Sequence, residues 1–426
     1  MKKRHVVLSL LGLLSVITYL DRICIGVAGP RIQDELKLTP EQWSWVLNAF
    51  LISYGLFEIP TGAMGDRIGH RRVLTRIVIW WSAFTSLTGA AGSFVVLAIT
   101  RFLFGAGEAG AYPNMSGVIS NWFPITERAR AQGIVWGASR IGGALSPLIV
   151  VPLMVLLGWR GTFYAFGGLG ILWAIVWFTW YRDHPTRQPG VSREELAEIT
   201  AGGGAPAAHT AVPWGKLFRC RQLWLIMAMY WCYVWGSIFY LGWFPTYLVK
   251  GRGLTEAEMG VFASLPFILG AIGNALGGRL GDRLVARYGL SLGRRLMGTT
   301  CLLISAGFLV ATASTTGRMS GVVLLALGFG VMDCMLPSAW SLCVDIGGRY
   351  SGAVSGAMNT AGSAGGFVCT WMFGQLVGAY GDYNTPMFLI AGMVSIAACL
   401  FWLIDPTKPM FDQPAPTAPT LAAPAV

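Results

Sequence analysis

The sequence predicts an all-α membrane protein with twelve transmembrane helices in two pseudo-symmetric six-helix bundles. Three observations carry that prediction: a shortage of charge, a series of apolar runs of bilayer length, and an internal repeat. Of the 426 residues, 54% are hydrophobic and 12% charged, and the mean hydropathy is +0.58. A soluble domain is about 25% charged, so this chain lacks the polar side chains to cover a globule in water. Its uncharged runs are about 20 residues long, which is what crosses a hydrocarbon core of about 30 Å. IVIWWSAFTSLTGAAGSFVVLAIT and MFLIAGMVSIAACLFWLI are two of them. The expected spans are 6–28, 43–64, 73–92, 95–119, 130–156, 160–180, 222–249, 258–279, 295–314, 319–344, 350–379 and 385–404. The basic start KKRH precedes a long apolar run with no small-residue cleavage site, so it reads as a retained first span rather than a signal peptide.

The net charge of +11 has a topological origin. With the N-terminus placed in the cytoplasm, 22 of the 31 Lys and Arg fall in cytoplasmic segments, six fall outside and three lie within spans. That asymmetry is the positive-inside rule and sets both termini in the cytoplasm of a multi-pass inner (plasma) membrane protein. The lipid bilayer is then the partner of the surface, and nucleic acid is not. The eight cysteines are scattered through apolar runs without a C-x-x-C, and His5, His70, His184 and His209 fall in expected loops or tails. No metal site, cofactor or nucleophile–base pair follows from them, and the chain reads as a non-enzyme that acts as a monomer.

The repeat defines the halves. GDRIGHRR at 65–72 returns as GDRLVARYGLSLGRR at 281–295, an offset of 216. RARAQGIVWGASRIGGA at 128–144 aligns with RYSGAVSGAMNTAGSAGG at 349–366, an offset of 219. Two matches at nearly one offset indicate a duplicated six-helix unit with any site near the midplane between the copies. The expected organisation is an N-terminal bundle 1–181, a polar linker 182–221, a C-terminal bundle 222–405 and a Pro/Ala-rich disordered tail 406–426. Within the linker, Ser192 and Glu195 have capping-box spacing before a short helix.

Ionisable groups at bilayer depth are costly and mark function by default. Asp21 and Arg22 lie in the first span, Arg101 and Glu108 in the fourth, Arg140 in the fifth and Asp333 in the tenth. Glu58 and Asp345 lie nearer span ends and read as structural. Arg101 and Glu108 are two helical turns apart, about 10 Å along the axis, so they bracket partners on the first span, where Tyr19 and Arg22 share a face. Three cations against Asp21 and Glu108 leave a net +1, which becomes +3 when both acids are protonated. Such a pocket attracts an anion, and more strongly once a proton has neutralised an internal acid. A guanidinium also takes a carboxylate in bidentate fashion. A fixed network of buried ion pairs holding spans 1, 4 and 5 is the competing reading.

The 219 offset pairs Arg140 with Asn359, two polar groups on glycine-rich spans that can approach closely. Tyr240, Phe244 and Tyr247 form a stripe that reads as core. The stretch RFLFGAGEAGAYPN contains G-x-G-x-x-G at 105–110. No strand precedes it, so it is not a dinucleotide fingerprint; its glycines read as close-packing positions within one helix.

The GDRxGxRR loop and the first-span pattern YLDRICIGVAGPRI resemble the anion:cation symporter family of the major facilitator superfamily. RFLFGAGEAGAYPN, NWFP, ERARAQG, WFPTYL and AMNTAGSAGG agree in family order, covering nearly the whole chain. The resemblance implies a major facilitator fold and a proton-coupled symporter importing an organic anion, such as the sugar acids glucarate, galactonate or a hexuronate. It implies a substrate-carboxylate role for Arg22, proton-coupling roles for Asp21 and Glu108 with Arg101 linked to them, and hydroxyl-binding roles for Tyr19, Tyr54, Trp340 and Asn359. Asp66, Arg67, Arg71, Asp282 and Arg283 would form a cytoplasmic gate, with Asp66 at a helix N-terminus as its latch. One departure stands out: the galactonate carriers have a neutral glutamine where this chain has Arg140. A second cation there points to a dicarboxylate or a different anion. Asp333 inherits no role; it is either a further proton site or the partner of Arg140. An efflux antiporter is the alternative, disfavoured by the fifth-span sequence GASRIGGALSP.

Overall fold

A computed structural model describes residues 2–200, 214–347 and 351–408, and the middle of the linker, Arg349 and most of the expected tail lie outside them. Long helices dominate, with no strand among the described residues. In the first half, α1 is Lys3–Glu35, α2 Pro40–Ile68, α3 His70–Ala90 and α4 Phe94–Trp122. Ile125–Trp180 folds back at Gly158 into α5 and α6. In the second half, α7 is Arg221–Gly242, extended by Phe244–Thr246 and a π-turn at Tyr247–Gly251. Glu256–Ser314 divides at Gly289 into α8 and α9; α10 is Arg318–Gly347, α11 Ser351–Tyr380 and α12 Thr385–Leu403. Seven of these helical stretches are long and apolar enough to cross a membrane, two of them doubled at a glycine. The twelve-span count stands.

The turn glycines display the pseudo-symmetry. Gly69 between α2 and α3 (φ 89°, ψ 139°) matches Gly289 between α8 and α9 (φ 81°, ψ 166°). Gly158 between α5 and α6 (φ 69°) likewise matches Gly381 between α11 and α12 (φ 65°). Side chains with a Cβ rarely adopt this left-handed region, so the chain reverses where the repeat supplies glycine. The eighth span is expected to end at 279. Its helix continues to Gly289 through GGRLGDRLVARYG, because Leu, Arg and Ala keep a helix going beyond the apolar core.

Close packing repeats as well. A Cβ on Gly142 of α5 would lie 2.7 Å from the Val16 carbonyl of α1, and one on Gly365 of α11 would lie 2.3 Å from the Trp231 carbonyl of α7. Gly105 of α4 abuts the Phe50 carbonyl of α2, as Gly277 of α8 abuts that of Cys334 on α10. Small residues let backbones approach where lipid supplies no hydrophobic drive.

The halves meet mainly toward the end that bears Glu35. Gly26 and Gly29 of α1 press on Leu241 and Thr246, and Gln33 Nε2 donates to Thr246 Oγ1 at 3.1 Å. Asn48 of α2 donates to the Phe367 carbonyl of α11 at 3.2 Å, and Gly143 and Val151 of α5 touch Phe267 and Gly260 of α8. Arg31 grips Glu256 through Nε at 2.7 and 2.8 Å, and Lys250 pairs with Asp34 at 2.7 Å. At the end bearing the termini, no hydrogen bond or ion pair joins the two halves among the described residues; the pairs there stay within one half or reach the linker. The bundle is thus closed at the Glu35 end and open at the other.

The linker is more engaged than a polar spacer. Ser192 Oγ accepts from the Glu195 N–H at 3.1 Å, as the capping spacing requires. The Glu195 carboxylate, however, caps α1, accepting from the N–H groups of Lys3 (3.1 Å) and Arg4 (2.8 Å).

Candidate functional site

Glu108 owes its position to a break in α4. The helix stops at Glu108, Gly110 takes a left-handed conformation (φ 84°), and the helix resumes at Ala111. Thr61 of α2 donates to the Ala109 carbonyl at 2.8 Å, while Asn114 donates to the Gly110 carbonyl at 2.8 Å and the Thr61 carbonyl at 3.2 Å. The reading of RFLFGAGEAGAYPN as one continuous helix is therefore corrected. Gly105 and Gly107 pack closely as expected, but Gly110 is a hinge.

Around that break the first-half charges assemble. The Arg22 Nε donates to Glu108 Oε1 in a direct ion pair. The Arg22 guanidinium lies over Tyr54 (4.5 Å), Phe50 (5.3 Å) and Tyr19 (5.7 Å). Asp21 is 1% exposed and Glu108 fully enclosed, while the Arg22 side chain keeps 19% of its surface accessible. Several polar atoms here have no hydrogen-bond partner: both Asp21 oxygens, Glu108 Oε2, Arg22 Nη2 and Arg101 Nε. Most buried polar groups are satisfied, so a cluster of orphans is what a site for exchanging ligands and protons presents. Arg101 is buried against Phe104 (4.3 Å) and Phe50 (5.5 Å) and forms no ion pair among the described residues. Its link to Glu108 and Asp21 is electrostatic, across the cluster.

The second cluster spans the two halves. Arg140 of α5 faces Asp333 of α10, Nη2 to Oδ2 at 3.5 Å. Asp333 is 1% exposed and Arg140 keeps 26% of its side chain accessible. Asp333 therefore stands beside Arg140, and that contact leaves its role as a further proton site open to test. Tyr233 of α7 donates to Asp333 Oδ1 at 3.4 Å, and Tyr230 stands edge-on to Trp340 at 6.5 Å. Tyr19 lies between the first-half cluster and α5, its ring 5.7 Å from the Arg22 guanidinium and its Cβ against Gly142. Tyr54 and Asn359 are half-buried, and the Asn359 side chain makes no hydrogen bond among the described residues.

Phe50, Tyr230 and Tyr233 belong to this region without having been singled out. The i, i+3 tyrosine pair within MAMYWCYVWG is a signal that could have found two of them. Tyr240 and Tyr247 are core, as read: Tyr240 donates to the Leu325 carbonyl and Tyr247 to Asn384. The gate residues are spread out. Arg71 is held within its own half, its N–H on Asp183 (2.8 Å) and its Nε on the Phe178 carbonyl (2.9 Å). Arg67, Asp282 and Arg283 are exposed, and none pairs with another described residue. The Asp66 side chain lies outside the described residues.

Two helical bundles that meet at one end, with charged pairs enclosed at mid-span, define a secondary transporter. The chain belongs to the major facilitator superfamily, whose family model matches residues 11–370. It is 35% identical to the probable sulfoacetate transporter of Cupriavidus necator, over 95% of this chain and 94% of that one. It is 31% identical to the hexuronate transporter of Bacillus subtilis, over 98% and 97%. A D-galactonate transporter of Escherichia coli is 30% identical over 95% of each. These relatives are of the anion:cation symporter type. A bacterial homologue of the human lysosomal transporter Spinster, solved in an inward-facing, unoccupied conformation, shares the fold at a TM-score of 0.79 and 19% identity, covering 95% of this chain and 97% of that one.

Proposed function

We propose that the protein is a proton-coupled symporter that imports a small organic anion across the inner (plasma) membrane by alternating access, with both termini in the cytoplasm. The Arg22–Glu108 ion pair carries the reading. An enclosed carboxylate holds the guanidinium that an incoming carboxylate needs. A proton on Glu108 releases Arg22, substrate takes its place, and the two ligands travel together. Asp21, enclosed beside them with both oxygens unsatisfied, is the second proton carrier. Arg101 keeps the local field positive. Tyr19, Tyr54, Asn359 and Trp340 line the approach and suit hydroxyls or the carbon chain of the substrate.

Arg140 favours a substrate with two acidic groups. Glucarate is such a sugar acid, and sulfoacetate, the cargo in the name of a 35%-identical relative, is a smaller one; galactonate and the hexuronates are the monoanionic alternatives. The cytoplasmic opening in this reading is the end bearing the termini, and Asp66, Arg67, Arg71, Asp282 and Arg283 close it in the opposite state.

The test is uptake of a labelled organic acid into proteoliposomes. Uptake rises with an inwardly directed proton gradient. Glu108→Gln removes that stimulation while exchange of substrate for substrate continues. Uptake indifferent to the gradient in the native protein would sink the proposal.

A further inference from the structure

Asp333 is the charge this scheme does not use. It is enclosed, yet its Oδ2 accepts no hydrogen bond, and its cation stands 3.5 Å away on the opposite half. A buried pair committed to structure is bidentate and fully satisfied, because a poorly satisfied one does not recover its desolvation cost. This pair is neither. The groups facing Asp333 are few. Arg140 comes from α5, Tyr233 and Tyr230 from α7, and Cys334 from its own helix. Where α8 meets it the residue is Gly270, on which a Cβ would lie 2.9 Å from Oδ2. Among the described residues no second cation pairs with Asp333 to replace Arg140 if it turns away. Arg140 meanwhile keeps part of its side chain accessible while Asp333 is enclosed. Arg22 and Glu108 repeat that layout, except that they share one half.

Resting on the symport reading above, we propose that Asp333 is an exchangeable counter-ion of Arg140, displaced by the second anionic group of a dianionic substrate, and that this exchange unties the halves at mid-span. The charges balance. For a dianion Asp333 replaces Asp21 as the second proton carrier: Glu108 and Asp333 each take one proton, Asp21 keeps its charge, Arg22 and Arg140 each take one anionic group, and the dianion moves with two protons at no net charge. A monoanion occupies Arg22 and leaves the Arg140–Asp333 tie intact. Asp333 is a positioning and selectivity residue here, acting on substrate through Arg140.

Glucarate and gluconate are a matched pair of six-carbon acids with two and one carboxylates, and titration calorimetry on the purified full-length protein between pH 8 and pH 6 separates them. In the native protein glucarate binds more tightly as pH falls, because protonation removes its competitor. Asp333→Asn binds glucarate about tenfold more tightly than the native protein at pH 8 and has a shallower pH slope, reduced to the Glu108 part that gluconate also shows, with gluconate affinity changed less than twofold. Arg140→Gln weakens glucarate about tenfold and spares gluconate. The double variant leaves no unpaired charge, which controls for folding, and binds both acids alike. A second readout needs no substrate: spin labels at the open ends of α5 and α10 report the spacing of the halves. In the native protein the distribution broadens as pH falls; in Asp333→Asn it is broad already at pH 8. Glucarate weakened by Asp333→Asn, a glucarate pH slope that it leaves as steep as in the native protein, or label distances that ignore it overturns the proposal. A native protein that binds neither acid but shows the label response rejects the organic-acid reading and keeps the counter-ion.

Discussion

The two ends of the bundle are held by different means. At the Glu35 end, backbones touch through glycine, amides and hydroxyls hydrogen-bond across the seam, and two ion pairs cross it. At the end bearing the termini, the ion pairs of the described residues stay within one half or join it to the linker. Arg294 pairs with Asp345, and Arg4 with Glu127 and Glu198. A rocking carrier must be able to undo whichever end is closed. Contacts built from close backbone approach are hard to improve and easy to spoil, while ion pairs near a surface are each worth only about 0–1 kcal/mol. The closed end therefore combines a precise fit with weak, reversible latches.

The largest effect comes from spoiling the fit. A Cβ on Gly26 would lie 2.8 Å from the Leu241 carbonyl, and backbone cannot move aside as a side chain can. Gly26→Ala should cost about 1–3 kcal/mol, the usual penalty of overpacking, and lower the melting temperature of the purified protein. The same change at the other end is the contrast. Gly137 has open space beside it, so Gly137→Ala leaves the melting temperature unchanged or slightly raised, since glycine in a helix interior is itself unfavourable. Equal losses at both sites would remove the distinction between the ends.

Removing the latches is the intermediate case. Arg31 meets Glu256 with both sides of its fork and also donates to the Met154 carbonyl at 2.8 Å, and Lys250–Asp34 is a single contact. Arg31→Ala with Lys250→Ala should shift the balance between end-open states by about 1–2 kcal/mol, about tenfold in population. Accessibility of a cysteine placed at the Glu35 end to a membrane-impermeant thiol reagent would measure it. An unchanged labelling rate would show that close packing alone closes that end.

Composition alone made the spans, the repeat and the intramembrane charges readable, because bilayer length and charge cost act on every helix separately. The pairing of those charges was less legible. That Arg22 meets Glu108 follows from faces and spacing. That Arg140 meets Asp333 depends on the register of α5 against α10, in opposite halves, so from the sequence that pairing stands only as one of two alternatives for Asp333. The hinge at Gly110 was hidden for a related reason. A glycine in an apolar run reads as a packing position unless the groups that satisfy the freed carbonyls, here Thr61 and Asn114, are known to be near. The docking of Glu195 onto the start of α1 was equally out of reach, since a capping-box glutamate ordinarily serves its own helix.

The smallest predicted effect concerns the loop that backs the Lys250 latch. Asp382 holds the turn into α12, accepting from the N–H groups of Asn384 (3.0 Å) and Thr385 (2.8 Å) and from the Thr385 hydroxyl (2.9 Å). Tyr383 of that turn packs on Gly251, beside Lys250. Partial burial pushes the Asp382 carboxyl up, but those hydrogen bonds outweigh it and hold the group below its ordinary value of 3.8. A depressed carboxyl stabilises the fold above its unfolded value and loses that contribution as pH falls through the folded one. Asp382→Ala should therefore cost about 1 kcal/mol at neutral pH, typical of a lost helix cap, and the gap between native and variant melting temperatures should close below pH 3.8. A gap that persists at lower pH would assign the loss to packing of the turn rather than to the charge. The labelling rate at the Glu35 end should rise less in this variant than in the Arg31/Lys250 pair, because the latch is loosened and not removed.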